Sequence, residues 1–278
     1  MLMKRSSLVL ISTLAAHCAV GATQDLSGTW HLDVLDFPMS VHFNYFPPDA
    51  FLVGGQSFGI ERLAPELSAT TVSLPGEPDF ATYTAEGDGL LLGVEPEGSF
   101  QFQFNSGRDV MVEVPLDRSE GYFAVGVREP ATLALAELAG TWQVNQIEMP
   151  RQMTWSNQGQ QLSGGGLFFA HREELTISGD GTVAGIGTIS IQDKSIQLDF
   201  GEAPDLLHVN AAKDVLIQVK HDLVDDGQQE IQLMTVVTKK PGSLVPADLV
   251  GSWRLSEIEL PPAISVYQTD FGSGPVPA

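Results

Sequence analysis

One short motif occurs three times at an almost constant interval: Asp25-Leu-Ser-Gly-Thr-Trp30, Glu137-Leu-Ala-Gly-Thr-Trp142 and Asp248-Leu-Val-Gly-Ser-Trp253, with the tryptophans 112 and 111 residues apart. A fixed period of this kind overrides any local assignment, because each repeat must fold as one unit. A second landmark keeps the same step. Asn105-Ser-Gly-Arg-Asp-Val-Met-Val-Glu-Val114 matches Asn210-Ala-Ala-Lys-Asp-Val-Leu-Ile-Gln-Val219, and each is followed by one more strand-like run and a proline, Pro130 or Pro241. The chain therefore divides into a unit over 25–136, a second over 137–247, and 248–278, the opening of a third that is either truncated or an extra strand docked on the second.

Within each unit the dominant period is two, as in strands with one buried face. Phe100, Phe102 and Phe104 alternate with Gln101 and Gln103; Val110, Val112 and Val114 alternate with Met111 and Glu113; Ile196, Leu198 and Phe200 alternate with Gln197 and Asp199. Glu86-Gly-Asp-Gly89, Gly179-Asp-Gly181 and Asp225-Asp-Gly227 stand between such runs and supply the positive φ that tight hairpins need. The only helix-like stretch is Ala131 to Leu138. Roughly seven or eight strands per unit suffice for a small up-and-down barrel or a two-sheet sandwich. The expectation is an all-β chain of two tandem antiparallel meander barrels or sandwiches plus a partial third repeat. A β-propeller-like ring closed by the strand Gly251–Leu260 is the alternative.

Composition narrows the company such a chain keeps. Fourteen Lys and Arg stand against 35 Asp and Glu in 278 residues, for a net charge of −21. A surface this acidic, without a basic cluster, repels phosphate backbones and anionic headgroups, so no nucleic-acid partner is expected. Residues 1–22 have the layout of a secretory signal: Lys4 and Arg5, an apolar run from Leu8 to Ala16, then small residues up to Ala22. The expectation is export, to the periplasm or beyond, with cleavage after Ala22. The apolar run is far short of the ~20 residues of a spanning helix, so no stable membrane anchor is expected. The only cysteine, Cys18, would leave with the signal, and the mature chain would have neither a disulfide nor a thiolate. An acylated Cys18 is disfavoured by His17 before it.

A Leu-x-Gly-x-Trp segment that opens a first strand after a short helical turn, and leads into a meander of hairpins, resembles the bacterial lipocalin-like (calycin-type) modules. Glu174-Leu-Thr-Ile-Ser-Gly-Asp-Gly-Thr-Val183 followed by Gly187-Thr-Ile-Ser-Ile191 carries the likeness furthest. The resemblance implies that Trp30 and Trp142 close one end of each barrel with a cation from the last strand, Arg128 or Lys239, across the indole. Such a contact is worth ~0.5 to 2 kcal/mol. It assigns structural roles to Gly28, Trp30, Arg128, Gly140, Trp142, Lys239, Gly251 and Trp253. A small barrel of this kind can fill itself with side chains, so the resemblance does not by itself imply a ligand cavity.

Candidate chemistry is sparse. His171 and Glu173 share a strand face, and His208 or His221 could supply a third metal ligand, but none of these is in a ligand-spaced motif. Asp222, Asp225 and Asp226 make an acidic turn without the pattern of a calcium loop. No Gly-x-Ser-x-Gly, phosphate loop or dinucleotide fingerprint occurs in a strand-to-helix context. The Asn105/Arg108/Asp109 and Asn210/Lys213/Asp214 turns read as structural, because Asn and Asp suit such hairpins. No catalytic residue, metal or cofactor is assigned. The densest aromatic stretch follows the first strand of each unit: Phe37, Phe43, Tyr45, Phe46, Phe51 and Phe58 in one, Met153, Trp155, Phe168 and Phe169 in the other. Long irregular connections are uncommon in compact domains, and these either lid the barrel or form a ligand mouth or docking surface. Phe43, Tyr45, Phe46, Trp155 and Phe168 are the candidates for that contact. The expected role is a secreted, non-catalytic binding or interaction module for a small apolar ligand or an extracellular protein or glycan. The alternatives are a structural or adhesive repeat protein and a hydrolase or metal-dependent enzyme on the same scaffold.

Overall fold

The computed structural model describes residues 10–11, 25–36, 41–46, 50–53, 59–86, 89–94, 98–113, 122–150, 153–156, 161–164, 169–199, 205–224, 229–243, 245, 250, 256–257 and 266–268. The chain is all-β, with two closed eight-stranded antiparallel barrels. In the first, the strand Gly28–Asp36 pairs on one side with the last strand, Tyr122–Arg128, and on the other with Gly59–Leu63 and Glu66–Leu67. These two short strands are halves of one, interrupted at Pro65, which has no N–H to give the ladder. Hairpins over Thr71–Leu74, Glu77–Glu86, Gly89–Val94, Gly98–Phe104 and Val110–Glu113 complete the circuit. In the second barrel Gly140–Pro150 pairs with Phe169–Ile177 and with the last strand, Gln229–Lys239. Each unit thus closes on its own first and last strands, which rules out the propeller ring. Of the closing strand that alternative needed, only Ser256–Glu257 is described, and it pairs with Leu10–Ile11. The signal segment is otherwise outside the described residues, as are Phe168, Gly251 and Trp253.

The repeated motif closes one end of each barrel in the same way. Trp30 and Trp142 are both 0% exposed. The indole N–H of Trp30 donates to Leu26 O at 3.0 Å, and that of Trp142 to Leu138 O at 2.8 Å. The leucine of Leu-x-Gly-x-Trp is therefore a plug whose carbonyl satisfies the buried indole donor. The glycine turns the chain between them at φ +126° for Gly28 and +141° for Gly140, a backbone conformation that costs a side-chain-bearing residue dearly. Helix formation before the second tryptophan is limited to Leu135–Leu138, with the Glu137 carboxylate accepting from Ala134 N–H at 2.8 Å. The cations of the last strands reach matched carbonyls, Arg128 Nη1 to Asp25 O at 3.2 Å and Lys239 Nζ to Glu137 O at 2.8 Å. Lys239 Nζ also stands 5.5 Å over the Trp142 ring.

The Asn turns agree atom for atom. Asn105 Oδ1 accepts from Asp109 and Val110 N–H, and Asn210 Oδ1 from Asp214 and Val215 N–H, all at 2.8 to 3.1 Å. Arg108 and Lys213 take φ values of +52° and +62° in these turns.

Among the described residues three apolar clusters hold the molecule together. One fills the first barrel around Trp30, Phe102 and Phe104, and one fills the second around Trp142, Ile189 and Ile196. The third lies on neither inside: Leu35, Val110, Val112, Phe123, Val125 and Val127 of the first barrel pack against Ile147, Met149, Ile217, Val219, Met234 and Val236 of the second. The two barrels are joined through the outer faces of corresponding strands. This is why Val110–Glu113 is buried on both sides, with Met111 turned inward and Val110 and Val112 outward.

Candidate functional site

The first barrel holds a cavity of about 840 Å³, within the size range of small-molecule sites. Its apolar wall includes Leu32, Leu67, Val72, Leu90, Phe102 and Met111, with Phe80, Leu92 and Phe100 farther along. The end near Trp30 is closed, with Phe104 edge-on to the indole at 5.7 Å between ring centroids. Toward the opposite end, where Asp36 pairs with Tyr122 and Gly59, the lining turns polar. Three carboxylates line it there, Asp36, Glu61 and Glu113. Glu113 is only 4% exposed and sits opposite Phe102 and Ala124 in the ladder. Its Oε1 accepts the Tyr122 hydroxyl at 2.7 Å, and the Tyr122 ring is edge-on to Phe100 at 6.1 Å. Asp36 remains open to solvent by area, yet the apolar mass around it pushes its carboxyl above the usual carboxylate range. No Lys, Arg or His is among the described residues of this wall.

The last strand borders the cavity with a small side chain, Ala124. Inward positions of the first barrel carry Ala124 and Gly126; the matched positions of the second, 111 residues on, carry Thr235 and Val237. A Cβ on Gly126 would lie 2.6 Å from Met111 Cε, so Met111 packs into the room the glycine leaves. In the second barrel the corresponding region is tied up by polar side chains. Gln146 Nε2 donates to Thr235 Oγ1 at 3.3 Å, Gln218 Nε2 donates to Leu206 O at 3.3 Å, and Glu148 pairs with His171 at 3.5 Å. Gln218 occupies the position matched to Glu113.

A second polar group is sealed between the barrels. The rings of His31 and His208 stack at 3.7 Å between centroids, 11° from parallel. Ser195 Oγ lies 3.0 Å from His208 Nδ1, and His31 Nε2 lies 3.3 Å from Glu129 Oε2, which belongs to the carboxylate that also pairs with Lys194. Arg62 donates from Nε to Asp33 Oδ1 at 3.2 Å and from Nη2 to Val219 O at 2.6 Å, so it bridges the barrels. Asp33 is 0% exposed, and burial pushes its carboxyl up to about 6, with Arg62 only partly opposing. Burial likewise lowers His208 to about 3, aided by the neighbouring His31 and Arg62 charges. Asp33 Oδ2 and His208 Nε2 are buried without a hydrogen-bond partner. Asp109 Oδ2 accepts from Asn210 Nδ2 at 2.9 Å and from Ala212 N–H at 2.7 Å, joining the two Asn turns to each other.

The residues singled out from sequence distribute unevenly over this arrangement. Phe43, Tyr45 and Phe46 lie on the strand Val41–Phe46, and Trp155 on Met153–Ser156. Through Ala50–Val53 these strands join one five-stranded sheet, in which Phe51 pairs with both Tyr45 and Trp155. Gln161–Gly164 and Val266–Gln268 form its edges, so the aromatic connections of the two units share a sheet outside both barrels. His171 and Glu173 share a ladder face at the second barrel, but His208 is turned out to the inter-barrel contact. Among the described residues no three His, Cys, Asp or Glu side chains gather closely enough for a metal ion. The cavity residues Asp36, Glu61, Glu113 and Tyr122 escaped sequence reading. The usable signal was the Glu113-to-Gln218 change inside the otherwise matched Asn-turn segments.

Fold and site together define a double barrel with a cavity in its first half. No family model matches the sequence, and no curated protein matches it. Among solved structures, a protein from Bacteroides fragilis described provisionally as an outer membrane protein aligns at 10% identity over 77% of this chain and 98% of its own, with a TM-score of 0.19. That score is too low to place the two chains on one fold.

Proposed function

We propose that the chain is an exported, non-catalytic binding protein of lipocalin-like type, whose first barrel takes up a small, largely apolar ligand. The observation that carries this reading is the 840 Å³ cavity, apolar in its depth and polar toward one end. Depth without donors or acceptors suits a hydrocarbon or ring system, while the polar end orients it. The second barrel, with Thr235 and Val237 where the first has Ala124 and Gly126, serves as a scaffold. A non-catalytic role is supported by the Ser195–His208 pair, which is sealed between the barrels where no substrate reaches it. The 25–136 and 137–247 units and the cleaved signal complete the proposal.

The test uses the full chain and the neutral fluorophore N-phenyl-1-naphthylamine. Saturable binding is expected, and Ala124→Phe, which puts a ring into the cavity, is expected to weaken it at least about tenfold, or ~1.4 kcal/mol, with the far-UV circular dichroism unchanged. Equal binding by a folded Ala124→Phe variant refutes this site.

A further inference from the structure

We propose that the seam between the barrels is an acid-sensitive latch, in which the stacked rings of His31 and His208 hold the barrels firmly only while both are uncharged. This holds whatever the cavity takes up. One ring comes from each barrel. At 3.7 Å between centroids and 11° from parallel, two neutral imidazoles pack face to face, whereas two imidazolium ions would repel. His208 is 5% exposed; its Nδ1 meets Ser195 Oγ, and its Nε2 is buried without a partner. An imidazolium donates from both nitrogens, so a proton gained there leaves a buried donor unmet.

Among the described residues, the charged groups facing the pair are Arg62, Asp33, Glu129 and Lys194. Arg62, from Gly59–Leu63, puts a positive charge beside both rings. Glu129 stands 3.3 Å from His31 Nε2 and favours a proton there, but its carboxylate is shared with Lys194, from the turn before Ser195. Asp33, on the strand of His31, is bonded to Arg62. The strand Val215–Val224 presents Ile217 and Val219 to the seam, and neither titrates. Burial outweighs Glu129 and holds His31 below its ordinary range, and it takes His208 from 6.5 down to about 3. The stability these rings supply is thus complete above pH 6.5 and is lost as pH falls toward 3. Asp33 works in the opposite sense, since its carboxyl is raised from 3.8 to about 6. It does not cancel the imidazoles: its displacement is smaller than that of His208, and once protonated it no longer balances Arg62 beside them. The matched positions of the repeat carry Gln143 for His31, Asn145 for Asp33 and Gln103 for His208, so the fold closes without these titratable groups and the set is particular to this seam. The apolar cluster around it does not titrate, so acid loosens the contact without undoing it. Strands Gly28–Asp36 and Gly59–Leu63 form this seam on one face and the cavity wall on the other, through Leu32, Val34 and Leu63.

The experiment follows the methyl groups of the full chain by NMR as pH is lowered from about 7 to about 5. Ile147, Ile217 and Met234 at the seam are expected to shift or broaden, with Ile189 and Ile196 inside the second barrel unchanged. His208→Gln, which installs the residue of the matched position, is expected to remove that response, and so is His31→Gln. In urea unfolding over the same interval, the unfolding constant of the unaltered protein is expected to rise about 20-fold relative to that of His208→Gln. Seam methyls that do not respond, a response shared equally by Ile189 and Ile196, or a folded His208→Gln variant that keeps the response would each overturn the latch. Should His208→Gln not fold, His31→Gln and the methyl pattern of the unaltered protein decide.

Discussion

The two barrels are alike at one end and unlike at the other. At the closed ends, Leu26 and Leu138, Gly28 and Gly140, and Trp30 and Trp142 make the same bonds in the same conformations. At the opposite ends, Val34, Ala124 and Glu113 of the first barrel correspond to Gln146, Thr235 and Gln218 of the second, and the first barrel keeps a large apolar space behind them. Closing a small barrel needs the same plug each time, because the indole N–H and the strand ends must be satisfied wherever the meander begins. Filling its other end is free to vary, since side chains of many sizes and polarities can occupy it without disturbing the ladder. The shared end therefore reports on folding, and the divergent end on what each half does.

The largest expected effect tests the shared end. Trp30→Ala and Trp142→Ala each remove a fully buried indole and should destabilise by about 3–5 kcal/mol in denaturant unfolding. Costs differing by more than about 2 kcal/mol would break the equivalence of the two closures.

Asp33 comes next, because the matched residue of the second barrel is the uncharged Asn145. The folded pKa of Asp33 is raised from 3.8 to about 6, so the native state holds its proton more tightly than the unfolded chain does. Its stabilising contribution is complete below pH 3.8 and is lost as pH rises toward 6. Asp33→Asn keeps a neutral side chain throughout. Its stability relative to the parent should therefore rise between about pH 4 and pH 6, by up to about 3 kcal/mol. A difference that stays flat across that window would show that Asp33 is not buried as described.

A smaller contrast separates the Asn turns. Asp109→Ala removes the acceptor of two bonds that cross between the barrels and leaves Asn210 Nδ2 and Ala212 N–H short of a partner. About 2 kcal/mol is expected in urea unfolding, against about 1 kcal/mol for Asp214→Ala, whose bond to Asn210 stays within its own turn. The smallest effect belongs to Lys239→Ala, which removes the cation over Trp142 and the bond to Glu137 O, at roughly 0.5–1 kcal/mol in the same assay.

Much of the shared end was legible from sequence. The spacing of Trp30, Trp142 and Trp253 marked the units, and the matched segments from Asn105 and Asn210 marked the turns, because both depend on local conformation that fixes residue type. The cavity was not legible. Its lining includes Ala124 where the second barrel has Thr235, a small difference in volume that leaves the strand pattern unchanged. The inward direction of Glu113 was hidden as well, since the neighbouring valines are buried against the other barrel and periodicity cannot tell an inside from an interface. The aromatic connections were noticed, but their pairing through Phe51 joins residues about 100 positions apart, which no local pattern announces.

The most direct test of the account is methyl NMR of the full chain during titration with N-phenyl-1-naphthylamine. Saturable shifts are expected at the methyl groups of Met111 and Leu90 inside the first barrel, with Ile189 and Ile196 inside the second left in place. Equal shifts in both sets, or shifts confined to Ile189 and Ile196, would contradict a binding site housed in the first barrel alone.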